Sequence, residues 1–167
     1  MADYQRSRVY EAEWMLQALF ANAAESGNPV VTVAGITVTL PPEAKFGSIE
    51  SIQSYVDRVL AHPAVTAQFT WVAPNVSVRR RKGVQKAHYS RCNREIAIPD
   101  QVGWAMREVV VLHEIAHHLS WDGHGPQFAD AFLTLLDAVM GPEVALVLRI
   151  LYDDNKVDTR PRNKVCC

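Results

Sequence analysis

Cysteine is scarce and badly placed for cross-linking: Cys92 and the terminal pair Cys166 and Cys167 are odd in number and form no C-x-x-C spacing. This argues against a zinc ribbon or a disulfide framework and suits free thiols in a reducing compartment. Neighbouring cysteines rarely bridge, so Cys166 and Cys167 read as part of a polar terminal tail. Long hydrophobic runs are also missing. The apolar stretch ALVLRILY is cut by Arg149, and a membrane span needs roughly 18 apolar residues. The opening residues MADYQRSRVYEAEWMLQALF carry acids and polar groups throughout, without the apolar core and small-residue cleavage site of a secretory signal. The expectation is a soluble, cytoplasmic protein with no membrane partner. Neither sign of charge is in excess, with 17 Lys+Arg against 18 Asp+Glu. Any attraction to nucleic acid must therefore come from a local patch. Internal repeats and low-complexity linkers are absent too.

What remains is a chain of 167 residues, 49% hydrophobic, enough to bury one core of ordinary size. A single domain over 1–153 is expected, followed by a polar, flexible tail over 154–167. Val9, Ala12, Leu16, Leu19, Phe20 and Ala23 recur at steps of three and four, which predicts a helix over 4–24. VVTVAGITVTL alternates apolar residues with threonine around Ala34 and Gly35, the pattern of a hairpin. Ser48 is placed to cap a helix carrying Ile52, Tyr55, Val56, Val59 and Leu60, with His62 and Pro63 at its end. The β-rich runs VSV, KAHYS and REIAIP predict a small antiparallel sheet whose last strand, 95–99, leads straight into a helix over 102–119. Two helices, 126–140 and 142–152, follow, each opened by proline. The fold class is α+β: a small antiparallel sheet packed with helices, then the helix over 102–119 and two C-terminal helices.

The strongest chemical signal is His113-Glu114-Ile115-Ala116-His117, the H-E-x-x-H pattern. Residues four apart on a helix are neighbours, so the two imidazoles can converge on one Zn²⁺ while Glu114 reaches the same side without ligating. A catalytic zinc keeps three protein ligands and one open position. The best third ligand is His124, carried on a turn by Gly123. One zinc per chain is expected. His118, one step round the helix, points about 100° away and reads as a packing or surface histidine, as do His62 and His88. Trp121 reads as core. Asp122 has two open readings: a hydrogen bond to a ligand imidazole, or a turn residue before Gly123.

HEIAHH followed by GHGPQF resembles the SprT-like metallopeptidases, in which an H-E-x-x-H helix is followed by a G-H-G-x-x-F element supplying a third histidine. The quoted match covers 113–128, and AHYSRCNREIAIPD looks like the hairpin before that family's active-site helix. The chain is also similar to short actinobacterial and phage metallohydrolases of this type, with a comparable DAVMGPE-like helix junction. The resemblance implies a zinc peptidase with His113, His117 and His124 as ligands and Glu114 as general base. The DNA-repair role of the Spartan relatives does not carry over, since a zinc ribbon and an appended DNA-binding region are lacking.

The expected reaction is hydrolysis of a peptide or protein substrate by water that the metal acidifies and Glu114 deprotonates. Tyr89 and Tyr152 are candidate oxyanion donors. An extended peptide is expected to add to the exposed edge of the hairpin that ends in 95–99. The rival is a zinc-stabilised nucleic-acid-binding or interaction module, suggested by Arg79, Arg80, Arg81 and Lys82 on a turn, for which a solvated loop is the plainer reading.

Overall fold

A computed structural model describes residues 3–83 and 86–160; Cys166 and Cys167 lie outside them. The described chain forms two compact units, one from residues up to Pro42 and from Ser120 onward, the other Glu43–Leu119. The class is α+β, as expected. None of the described helices is long and apolar enough to cross a membrane.

In the first unit, α1 (Arg6–Ser26) buries Val9, Ala12, Leu16 and Phe20 along one stripe and stops where Gly27 takes a left-handed conformation, φ 68°. β1 (Val30–Val33) and β2 (Ile36–Thr39) form the expected antiparallel hairpin. Both turn residues have positive φ, Ala34 at 49° and Gly35 at 79°, the backbone that matches the natural twist of a two-residue hairpin. α5 (Pro126–Val139) and α6 (Pro142–Asp154) each start on proline. α6 packs on both α5 and α1. The residues after α6, expected to fray, are tied down as far as they are described. Val157 is buried, and the Gln5 amide both donates to Asp158 O and accepts from Asp158 N, each at 3.0 Å.

In the second unit, α2 (Ile49–Leu60) opens on a reciprocal cap in which Ser48 and Ser51 side chains accept from each other's backbone N–H at 3.1 and 3.2 Å. His62 ends α2 and then caps a short helix that sequence periodicity did not disclose, α3 (Pro63–Gln68), accepting from Ala64 N at 3.3 Å. Three strands follow: β3 (Ser77–Arg80), β4 (His88–Ser90) and β5 (Glu95–Ile98), in the order β3-β5-β4. This sheet is mixed where an antiparallel one was expected. β4 pairs antiparallel with β5, but β3 runs parallel to β5. The strand order follows burial: Ile96, Ala97 and Ile98 are all buried, as suits the central strand, and the more exposed β3 and β4 form the edges.

The expected helix over 102–119 begins late, at α4 (Glu108–Leu119), after a separate 3-10 turn, Gly103–Ala105. The intervening backbone is engaged across the chain: Phe46 N donates to Met106 O at 2.9 Å and Glu108 N to Ala44 O at 3.0 Å. Two carboxylates fix the start of α4. Glu43 pairs with Arg107 at 2.5 Å. Glu108 accepts from Tyr55 Oη at 2.6 Å and from Ala44 N at 2.8 Å. Burial, with the Glu108 charge beside it, pushes the Tyr55 phenol far above its usual pKa and keeps it a donor. Glu108→Ala strands both donors, and each buried group left without its partner costs roughly 1–3 kcal/mol, so a loss of about 3 kcal/mol is expected. A denaturant midpoint unchanged from wild type would contradict this anchoring.

Candidate metal centre

α4 carries Val109, Val111, Leu112, Ile115, Ala116 and Leu119 as buried apolar residues, and all twelve of its positions except His117 are buried. The i, i+4 spacing does what helical geometry requires. His113 and His117 bring their Nε2 atoms to 3.1 Å, with ring centroids 4.8 Å apart and planes at 76°. Glu114 lies beside His113 and is 5% exposed.

His118 is not turned to this pair. Its Nε2 meets Ala73 O at 2.7 Å and its Nδ1 meets Tyr89 Oη at 2.6 Å. Since a carbonyl only accepts, Nε2 carries the proton and Nδ1 accepts from the phenol. Burial pushes the His118 pKa down and that of Tyr89 up, so both stay neutral in this arrangement. At the C-terminal end of α4, Arg91 donates to His117 O at 2.5 Å, a cation where the helix leaves its last carbonyls open.

His124 sits in the turn between α4 and α5, and the two glycines around it have separate reasons. Gly123 has φ +66°, a left-handed conformation that side chains resist, and a Cβ there would meet the Asp3 carboxylate carbon at 3.4 Å. At Gly125 a Cβ would fall 2.3 Å from Asp122 Oδ2. That carboxylate accepts from Gln127 N at 2.8 Å and Phe128 N at 3.0 Å, closing two open donors at the start of α5. Of the two readings of Asp122, the turn reading holds. The imidazole bond expected of it is made instead by Asp3, whose Oδ2 is 2.7 Å from His124 Nδ1 and whose Oδ1 accepts from His124 N at 3.1 Å. Tyr10 and Phe128 flank the His124 ring, each with centroids 5.0 Å away.

His113, His117 and His124 form a group whose ligand atoms all lie within 4.8 Å of one another. Three imidazoles suit a transition-metal ion, and two ligands at roughly 2.0–2.1 Å from a tetrahedral ion stand about 3.3 Å apart, close to the observed Nε2 separation. Other candidates are placed elsewhere. Tyr152 is fully buried with its hydroxyl toward Glu13 at 3.5 Å, inside the packing of α1 and α6, so it is no oxyanion donor. Tyr89 spends its proton on His118. Trp121, expected in the core, is 66% exposed. Of the two hairpin strands, β5 is flanked on both sides, so the edge the hairpin offers is β4.

The basic run lies on β3 and the residues after it rather than on a turn. Arg79 pairs with Glu95 at 2.6 Å, Arg80 with Asp100 at 2.7 Å, and Arg81 donates to Lys86 O at 2.6 Å. Lys82 is exposed.

No protein-family profile matches the chain, and neither a curated protein nor a solved structure matches it.

The clearance at Gly125 makes a testable pair. Gly125→Ala should displace the Asp122 carboxylate and cost about 1–2 kcal/mol, the usual value of a lost helix cap. In an Asp122→Ala background the same change should cost far less. Equal costs in both backgrounds, from denaturant unfolding of the four proteins, would separate Gly125 from the cap.

Proposed function

We propose that this chain is a zinc-dependent hydrolase, a metallopeptidase of the SprT type, holding one zinc ion through His113, His117 and His124. The observation that carries the reading is the pair of Nε2 atoms 3.1 Å apart on a buried helix, one residue from a buried glutamate. The third histidine supports it, since three ligands leave a catalytic ion one open position, whereas structural zinc is closed by a fourth protein ligand.

Zinc bound there supplies a Lewis acid for a substrate carbonyl and lowers the pKa of a water molecule toward about 7. The protein's own work is positioning and proton transfer. Helical spacing sets His113 and His117, and Asp3 holds His124. Glu114 takes the proton from the attacking water and returns it to the leaving amine, acting first as base and then as acid. The buried surroundings of Glu114 strengthen its interactions with charge that develops in the reaction. A peptide or unfolded protein segment in a cytoplasmic setting is the proposed substrate, with β4 the strand edge along which it can lie. The nucleic-acid reading is weaker, because Arg79 and Arg80 each pair with a carboxylate, Glu95 and Asp100, which offsets the charge a phosphate would meet.

Glu114→Gln should keep zinc content and thermal unfolding near wild type while hydrolysis of casein falls roughly 10²–10⁴-fold, the usual share of a general base. His113→Ala and His117→Ala should instead lose the metal. Wild-type rates in Glu114→Gln would remove the mechanism. Zinc-loaded wild type that cleaves no unfolded protein would favour a binding module.

A further inference from the structure

Asp3 is 121 residues from His124 in sequence, yet it makes two bonds to it, at Nδ1 and at the backbone N–H. A carboxylate only accepts, so the imidazole proton facing it must sit on Nδ1. A neutral imidazole has one N–H, and Nε2 is then left with its lone pair. The ring is also fixed in orientation by Tyr10 and Phe128, whose centroids each lie 5.0 Å from its own. Asp3 itself is mounted at the start of α1, where Arg6 N donates to its backbone oxygen at 3.4 Å, and α1 is held by α6. Gly123 gives the carboxylate its seat, since a side chain there would crowd it at 3.4 Å.

We infer that Asp3 is the positioning residue of the metal centre, fixing the tautomer and direction of His124 so that Nε2 is presented as a ligand. This rests on the metal reading above and extends it to the N-terminal segment. The group it orients is on a turn rather than a helix, so its aim depends on an outside partner in a way that of His113 and His117 does not. Partners of this kind typically contribute 10–100-fold to metal affinity.

The test uses the full chain with Asp3→Ala, Asp3→Asn and Asp3→Glu. Zn²⁺ affinity is read by competition with a chromogenic chelator, and the rise in Tm on adding Zn²⁺ is read beside it. Asp3→Ala should bind Zn²⁺ about 10–100-fold more weakly, with a smaller Zn²⁺-induced rise in Tm than wild type. Asp3→Asn should fall between, because its amide oxygen can still accept one of the two bonds, and Asp3→Glu should recover part of the affinity. In the imidazole ¹⁵N–¹H spectrum, wild-type His124 should be protonated at Nδ1 alone, and Asp3→Ala should show both tautomers in the metal-free protein. A purely structural tie would lower the Tm of metal-free and Zn²⁺-loaded protein equally and leave affinity unchanged. Affinities of Asp3→Ala and Asp3→Asn within about twofold of wild type, with an undiminished Tm rise, would therefore overturn the inference. Wild type that binds no Zn²⁺ would overturn the metal reading itself, whatever the variants do.

Discussion

The constraint on which the site depends is that α4 is buried at every position but His117 while carrying Glu108, His113, Glu114 and His118. Polar groups in such a place cost several kcal/mol unless each is satisfied. The helix divides the requirement along its length. Glu108 at the start is met by Tyr55 and Ala44, His118 near the end by Tyr89 and Ala73, and the His117 carbonyl by Arg91. These contacts tie α4 to α2, to the loop before it and to β4. Between them lies the turn bearing His113, Glu114 and His117. Its side chains are thus presented by a helix fixed at both ends, the condition under which a polar cluster holds its geometry.

Local pattern made much of this legible. The buried stripes of α1 and α2, the capping serine, the hairpin and the proline-opened helices α5 and α6 each follow from spacing within one segment. So does the His113–His117 pair, because four residues on a helix fix the separation without reference to anything else. What stayed hidden depends on residues far apart in sequence. That β3 would run parallel to β5 could not be read from strands of three or four residues, since direction is set by the path of the intervening chain and leaves no mark in so short an alternation. The late start of α4 follows from bonds to residues 44–46, which compete for backbone that periodicity alone assigns to the helix. Trp121 was misplaced because size and hydrophobicity favour burial on average but do not decide a single position in a turn.

Asp122 and Asp3 show the same limit within the site. A carboxylate next to Gly123 had two plausible tasks, and local sequence could not choose between them. The structure separates the tasks physically. Asp122 is close in chain to the open amides of α5 and serves them; the histidine that neighbours it is served by a residue 121 positions away. No spacing rule marks Asp3, which before folding is one acid among many near the N-terminus.

The two kinds of histidine call for different support. His113 and His117 inherit their aim from the hydrogen-bonded ladder of α4, so the determinants of their geometry are the same apolar contacts that stabilise the fold. His124 has no such ladder. Its aim is assembled from Gly123 in a left-handed conformation, Gly125 leaving space for the Asp122 cap, two aromatic walls and the Asp3 carboxylate. Each of these bears on the aim of His124 rather than on that of the His113–His117 pair. On the metal reading proposed above, the turn therefore sets affinity through a few separable contacts, whereas on the helix the aim of the histidines and the stability of the fold are inseparable.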